Sequence, residues 1–286
     1  MNWWESIVLG IVQGLTEFLP ISSSAHIRAI GPLLPSGGDP GAAFTAIIQI
    51  GTEAAVLLYF RKDIVRIIGA WWLALRGGQG ADRRSRFGAH SPDARLGWFV
   101  ILGSFPIVVL GLLFQDAIET SLRNLYLTSI TLALFAVVLG WADRVGAKKR
   151  DLNELRGKDA WLLGLAQAAA LIPGVSRSGG TISMGLFLGL TREAAARYSF
   201  LLAIPAVLGS GFFQAATNYQ EITAPGGVGW INTILAALVA FAVGYVVIVW
   251  FLKIITNYSF MPFVYYRIGF AAVIVALVAT GTIAAS

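Results

Sequence analysis

Long apolar stretches follow one another along the whole chain. Six are long enough to cross a hydrocarbon core of about 30 Å as helices: 42–60, 96–114, 125–141, 194–213, 229–252 and 263–284. Two further apolar regions, 3–34 and 160–190, are each interrupted by a proline and a polar cluster. A single lipid-facing helix cannot contain such a break, because the freed backbone groups find no partner in lipid. The pattern therefore predicts six transmembrane helices and two re-entrant hairpins of two short helices each.

The composition supports a membrane protein throughout. Of the 286 residues, 57% are hydrophobic and only 13% are charged, whereas about 25% of residues are charged in soluble domains. We therefore predict an all-α polytopic fold in which residues 1–286 form a single integral membrane domain. Cysteine is absent, which excludes a disulfide framework, a thiolate metal site and a cysteine nucleophile.

The basic residues give the predicted orientation in the membrane. Eight Lys or Arg lie within 61–95 and six within 144–158, which is 14 of the 21 in the chain. Loops rich in Lys and Arg stay in the cytoplasm. The other two long loops, near 115–124 and 217–229, contain one basic residue between them, Arg123, so we expect these loops and both termini outside. The net charge of +6 is thus an orientation signal, and no nucleic-acid partner is expected.

The alternation of cytoplasmic and external loops predicts an inverted repeat. Residues 1–143 and 159–286 would each contain one hairpin followed by three spans, with the second half inverted relative to the first. The motif QGLTEFLPISSSAH (13–26) parallels QAAALIPGVSRSGGT (167–181), with a glutamine, an apolar turn, a proline and serines in the same order. Inverted repeats with broken helices place a polar site near the midplane. The two bends should therefore face each other inside the membrane.

The first bend contains a carboxylate, hydroxyls and an imidazole: Glu17, Ser22, Ser23, Ser24 and His26. Gln13 precedes Glu17 by four residues, so both lie on one helix face. These groups suit an activated nucleophile, in which Ser23 or His26 attacks and His26 or Glu17 handles the proton. Alternatively, the serines cap a helix, Glu17 pairs with an arginine and His26 is a satisfied interior group. The whole set favours function, because ionisable groups inside a membrane are costly.

The second bend has the features of a phosphate site. Its glycines allow close backbone approach, its helix N-terminus favours an anion, and Arg177 offers a planar pair of donors. The hydroxyls beside it belong to Ser176, Ser178 and Thr181. In the structural alternative, Arg177 only pairs with Glu17. A further carboxylate, Glu53, either faces the same cavity or lies near the external end of its span.

Both motifs resemble the two signature motifs of the undecaprenyl-diphosphate phosphatase family, the bacitracin-resistance type, and the resemblance extends over the whole chain. It implies hydrolysis of undecaprenyl diphosphate to undecaprenyl phosphate and inorganic phosphate in the bacterial plasma (inner) membrane, recycling the lipid carrier for peptidoglycan synthesis. It assigns catalysis to Glu17, Ser23, His26 and Arg177, and phosphate binding to Gln13, Ser22, Ser176, Arg177, Ser178 and Thr181. The departure from the family pattern is at Ser24 and Ala25, where glycine is expected after the serine or threonine.

The expected cofactor is a divalent cation, Mg²⁺ or Ca²⁺, with Glu17 as its ligand. Gln13 stands where the family can have a glutamate, which removes one possible metal ligand. The site should open to the external face or leaflet, because the hairpin with the proposed nucleophile enters from outside. The partners would be the polyprenyl diphosphate substrate, membrane lipids and, as an open alternative, a second copy in a homodimer. The competing function is a polyprenyl-phosphate flippase or another inverted-repeat transporter.

Overall fold

The apolar stretches fold into helices in the computed structural model, which describes residues 1–80, 82–224 and 227–285. Ala81 of the predicted cytoplasmic loop, Pro225 and Gly226 of the predicted external loop, and Ser286 lie outside the described residues. The helices, in chain order, are α1 (Trp3–Thr16), α2 (Ser23–Ile30), α3 (Ala42–Tyr59), α4 (Arg61–Leu75), α5 (Arg83–Arg86), α6 (Pro92–Leu113), α7 (Gln115–Glu119), α8 (Leu125–Val145), α9 (Gly157–Ala168), α10 (Arg177–Phe187), α11 (Arg192–Thr217), α12 (Tyr219–Thr223), α13 (Trp230–Ile255) and α14 (Met261–Ala279).

Within the described residues, six helices are long and apolar enough to cross a membrane: α3, α6, α8, α11, α13 and α14. They coincide with the six predicted spans, and the differences lie at their ends. Helix α11 begins before the apolar stretch because the Thr191 side chain caps it, accepting a hydrogen bond from the Ala194 amide at 3.1 Å. Helix α14 ends at Ala279 rather than at 284, and the chain then turns at Gly281, whose φ is +70°. Polar caps and turns thus set ends that hydropathy does not detect.

The segment predicted only as a charged cytoplasmic loop contains a helix, α4, and the sequence interpretation missed it. Its basic residues stand beside apolar side chains that are exposed: Val65, Ile68, Trp72 and Leu73. The sequence RKDIVRIIGAWWLAL places these side chains at helical spacing. An amphipathic helix of this kind is suited to lie in the membrane interface.

Each predicted hairpin consists of two helices joined by an irregular bend. Residues 17–22 join α1 to α2, and residues 169–176 join α9 to α10. Helix α1 packs on α13 and α9 packs on α6. A side chain at Gly14 or Gly164 would strike the backbone of the facing helix, and such small residues let membrane helices approach closely. Each hairpin therefore rests on a span from the other half of the chain.

Candidate active site

The two bends are in direct contact, as the sequence predicts. The Ser178 hydroxyl of the second bend donates a hydrogen bond to the Leu19 carbonyl of the first at 3.1 Å. The Arg177 guanidinium reaches Glu17 across the same boundary, with Nη2 2.5 Å from Oε1. Residues about 160 positions apart in the chain thus form one polar group.

The bends also have the same local backbone geometry. Ser22 and Ser176 each precede a helix, with φ of +71° and +69°. In each bend the hydroxyl of this serine lies 3.2 Å from that of the serine two residues later, Ser24 or Ser178. Positive φ is uncommon for residues other than glycine, and such strain concentrates at functional sites. The motif similarity seen in the sequence therefore extends to the backbone.

Glu17 is the centre of the hydrogen-bond network. Its Oε1 accepts from Arg177, and its Oε2 accepts from the Gln13 amide nitrogen at 2.7 Å and from the Ser23 hydroxyl at 2.6 Å. A hydroxyl that donates to a carboxylate at this distance can transfer its proton as it attacks an electrophile. Of the alternatives left open by the sequence, the structure brings the Ser23–Glu17 pair together.

Arg177 retains an unused donor. Its Nη2 is bound to Glu17, but its Nη1 is buried and has no hydrogen-bond partner among the described residues. Arginine can donate two parallel hydrogen bonds to a phosphate. The side chain also lines a cavity, so a ligand bound there would lie next to a guanidinium that has a donor to spare.

The cavity has a volume of about 510 Å³, and these polar groups form one end of it. The residues at the polar end are Glu17, Ser22, Ser23, Ser24, Ser176 and Arg177. Its walls are mostly apolar and include Ile107, Val108, Leu112, Pro205, Val207 and Phe213. The cavity extends to Gln115 and Gln214, near the ends of α6 and α11. Its shape and chemistry suit a ligand with an anionic head and an apolar tail.

The sequence interpretation missed Arg267, which holds the bends in place. Arg267 is 0% exposed and donates four hydrogen bonds to backbone carbonyls. Nη1 reaches the first bend at Pro20 at 3.0 Å, and Nη2 reaches the second at Gly174 and Val175 at 3.0 and 2.9 Å. Nε donates to Leu132 of α8 at 3.1 Å. An arginine within an apolar stretch was the available signal.

The chain was compared with known proteins. The family described as "Bacitracin resistance protein BacA" matches residues 6–273. Undecaprenyl-diphosphatase 2 of Agrobacterium fabrum is 59% identical over 286 residues, covering 100% of this chain and 99% of its relative. The undecaprenyl-diphosphatase of Kineococcus radiotolerans is 59% identical over 281 residues, with coverages of 98% and 95%. That of Pseudarthrobacter chlorophenolicus is 55% identical over 285 residues, with 100% coverage of both.

The chain belongs to the BacA family. The resemblance deduced from the two bend motifs is therefore confirmed.

His26 occupies an unexpected position in this BacA-family site. Its Nδ1 lies 2.7 Å from the Ser22 carbonyl, and its Nε2 lies 2.7 Å from the Tyr266 hydroxyl. A carbonyl only accepts, so Nδ1 carries a proton, and in the neutral imidazole Nε2 then accepts from the tyrosine. The ring also stacks on Phe270 at 4.0 Å. Both nitrogens are thus engaged away from Ser23, as in the satisfied interior alternative, and the catalytic role of His26 stays a prediction.

The predicted phosphate-binding residues of the BacA-family chain divide into two groups. Ser22, Ser176 and Arg177 line the cavity. Gln13, Ser178 and Thr181 are buried and do not line it, and the Thr181 hydroxyl donates to the Arg177 carbonyl at 2.7 Å. Thr181 therefore supports the backbone that carries the arginine, and direct phosphate contact by any of the six residues stays a prediction.

Glu53 lies beside the site rather than at the external end of α3. It is 1% exposed, and its carboxyl group interacts electrostatically with both Arg177 and Glu17. Glu53 is not among the residues that line the cavity, so the structure places it at neither of the two positions considered from the sequence but in the interior beside Glu17 and Arg177.

Proposed function

We propose that this protein hydrolyses undecaprenyl diphosphate to undecaprenyl phosphate and inorganic phosphate in the bacterial inner membrane. The reaction would return the lipid carrier to peptidoglycan synthesis and so give resistance to bacitracin. Relatives named undecaprenyl-diphosphatase, at 59% identity over almost the whole chain, support it.

One observation carries the proposal: Ser23, Glu17 and Arg177 are joined by hydrogen bonds at the polar end of an apolar-walled cavity. A polyprenyl tail matches the walls, and a diphosphate matches the arginine and the serines. The proposed nucleophile, its proton acceptor and the arginine that would bind the phosphate are therefore adjacent.

In the proposed reaction, the Ser23 oxygen attacks the terminal phosphorus while its proton passes to Glu17 and then to solvent. The bond from that phosphorus to the bridging oxygen breaks, and undecaprenyl phosphate leaves with the bonding electrons. Water then attacks the phosphoserine: its hydroxide joins phosphorus, and its proton returns to the serine oxygen by way of Glu17. Arg177 stabilises the charge that spreads over the terminal oxygens.

A divalent cation, Mg²⁺ or Ca²⁺, is part of the proposal, with Glu17 as a ligand. No group of three or more His, Asp or Glu suited to a metal occurs in the described part of the chain. Mg²⁺ is commonly held by one or two carboxylates plus substrate phosphates, so the residues present fit a cation that binds together with the diphosphate. When bound, it would neutralise phosphate charge.

We also propose the inverted-repeat arrangement, with halves 1–143 and 159–286 and two re-entrant hairpins. Support comes from the paired motifs, the matching φ angles of Ser22 and Ser176, and the reciprocal packing of α1 on α13 and α9 on α6. The cavity extends toward the loops that are poor in Lys and Arg, which supports an opening on the external side. A homodimer stays a prediction.

The flippase alternative has less support. Relatives at 52–59% identity are named undecaprenyl-diphosphatase, and a carrier has no need of a serine hydroxyl bonded to a carboxylate.

Phosphate release by purified protein in detergent tests the function, and Ser23→Ala tests the nucleophile. We expect this variant to lose at least about 10³-fold in turnover, as serine hydrolases do without their nucleophile. Acid quenching with terminally ³²P-labelled substrate should trap phosphoserine in the wild type and in His26→Gln, but not in Ser23→Ala. Phosphohistidine is lost in acid, so a parallel sample is quenched in alkaline detergent. A base-stable, acid-labile label present there in Ser23→Ala would make His26 the nucleophile. Lipid transport without phosphate release would contradict the phosphatase function.

Single-cysteine labelling tests the topology without background, because the chain has no cysteine. Residues 36 and 154 are both exposed and belong to opposite predicted sides. In intact cells we expect a membrane-impermeant maleimide to label Ser36→Cys but not Glu154→Cys, with both labelled after permeabilisation. Equal labelling of the two positions from outside would contradict the inverted arrangement.

A further inference from the structure

Glu53 is a buried carboxyl group that the proposed phosphoryl transfer does not use. Its Oε1 is buried and has no hydrogen-bond partner among the described residues. Burial of an unsatisfied carboxylate costs several kcal/mol, and such groups are normally paired or bound to a metal. Glu53 is also close enough to Arg177 and Glu17 for electrostatic interaction with both. The unpartnered oxygen at this position therefore points to a ligand.

A second unsatisfied oxygen lies next to it in the network. The Gln13 side chain donates its amide nitrogen to Glu17, which brings its carbonyl oxygen close to the same carboxylate. That oxygen, Oε1, is also buried without a donor. The region thus contains two side-chain oxygens that need a donor or a cation.

The chemistry of these two oxygens leads to the same inference. Arg177 already uses Nη2 on Glu17. Carboxylate and amide oxygens are the ligands that Mg²⁺ and Ca²⁺ take.

We propose that Glu53 is a ligand of the catalytic divalent cation, together with Glu17 and the Gln13 carbonyl oxygen. Phosphate oxygens of the diphosphate complete the coordination, so the inference rests on the proposed function. Helix α3 thus supplies the second carboxylate of a site whose first belongs to α1. Gln13 then contributes a neutral oxygen where the family can have a charged one.

This arrangement predicts that the second carboxylate can be moved from α3 to α1. Glu53→Gln removes the charge and keeps the shape of the side chain. Gln13→Glu adds a carboxylate beside Glu17. If both positions face one cation, the double variant Gln13→Glu/Glu53→Gln should recover what Glu53→Gln loses. A carboxyl group that only balanced Arg177 from α3 would give no such recovery.

Mn²⁺ binding, followed by electron paramagnetic resonance in the presence of a non-hydrolysable polyprenyl methylenediphosphonate, gives a readout independent of turnover. We expect Glu53→Gln to weaken Mn²⁺ binding at least about tenfold, since loss of even an outer-shell partner costs 10- to 100-fold. The Mg²⁺ concentration for half-maximal hydrolysis should rise by a similar factor. The double variant should regain most of the affinity, and Gln13→Glu alone should bind Mn²⁺ more tightly than the wild type.

Glu5→Gln is the matched control. Glu5 is another fully buried carboxylate, but it accepts hydrogen bonds from the backbone amides of Asn2 and Ser36. The Mn²⁺ affinity of Glu5→Gln and the Mg²⁺ concentration that it needs for half-maximal hydrolysis should equal those of the wild type.

Unchanged Mn²⁺ affinity in Glu53→Gln would overturn the inference. A Gln13→Glu variant that binds Mn²⁺ no more tightly than the wild type would also overturn it, and this second test does not require Glu53→Gln to fold. Cation-independent hydrolysis by a wild type that binds no Mn²⁺ would overturn it too, while leaving the phosphatase function intact. Mn²⁺ binding that depends on Glu53, without any phosphate release, would instead sink the proposed function and leave the cation site.

Discussion

Arg177→Lys should lose most of the phosphatase activity although it keeps the positive charge, and Arg177→Ala should lose nearly all of it. The reason is geometric. The transferring phosphoryl group spreads charge over its equatorial oxygens, and a guanidinium meets two of them with parallel donors, whereas lysine is a point charge. Arg177 also has its unused Nη1 buried at the cavity. Loss of one preorganised donor typically lowers turnover about 10²- to 10³-fold.

Turnover at saturating substrate and the melting temperature in detergent should be measured together for these variants. Both variants should stay folded, because the spans do not depend on this side chain. Arg192→Lys is a suitable control, since Arg192 also contacts a buried carboxylate, Asp143 at 2.7 Å, but outside the cavity. If Arg177→Lys retained near-normal turnover, bidentate phosphate binding would be wrong and the purely structural ion pair with Glu17 would be the better interpretation.

Arg267→Met should abolish activity by a different route, through loss of the fold around the bends. Methionine has a similar length but no donors, so four carbonyl hydrogen bonds disappear. Each buried group left unsatisfied costs about 1–3 kcal/mol, against a typical total stability of about 5–15 kcal/mol. We expect a large fall in melting temperature and in the yield of monodisperse protein.

Arg267→Lys should be intermediate, because an ammonium offers three donors from one point and cannot span three chain segments. Tyr266→Phe, which removes only the hydroxyl that bonds to His26, is the neighbouring control and should keep most of the stability. A wild-type melting temperature in Arg267→Met would show that the bends hold together without this side chain. The contrast between Arg177→Ala, inactive but stable, and Arg267→Met, inactive and unstable, separates chemistry from scaffold.

Several features of this protein followed from the sequence because their signals are local. The spans are visible because each must be apolar over about 20 consecutive residues, and the bends because proline and serines interrupt two such stretches. Glu17, Ser23 and Arg177 were predicted as site residues in the same way, since each lies in a short polar motif where lipid does not tolerate one. The contact between the two bends was predicted from the alternation of basic and non-basic loops and from the similarity of the two motifs.

Other features depended on which side of each helix faces inward, and only tertiary packing decides that. His26 is close to Ser23 in sequence, yet it turns toward Tyr266 and Phe270 of α14, and the group that accepts the hydrogen bond of the serine is Glu17. Glu53 and Arg267 lie on α3 and α14, outside both motifs, and single charges in apolar spans do not reveal their partners. A hydrogen bond depends on distances of a few tenths of an ångström, whereas hydropathy and charge describe whole segments. The sequence therefore determined the six apolar spans and the candidate reacting groups, and the tertiary structure decided how those groups are held and paired.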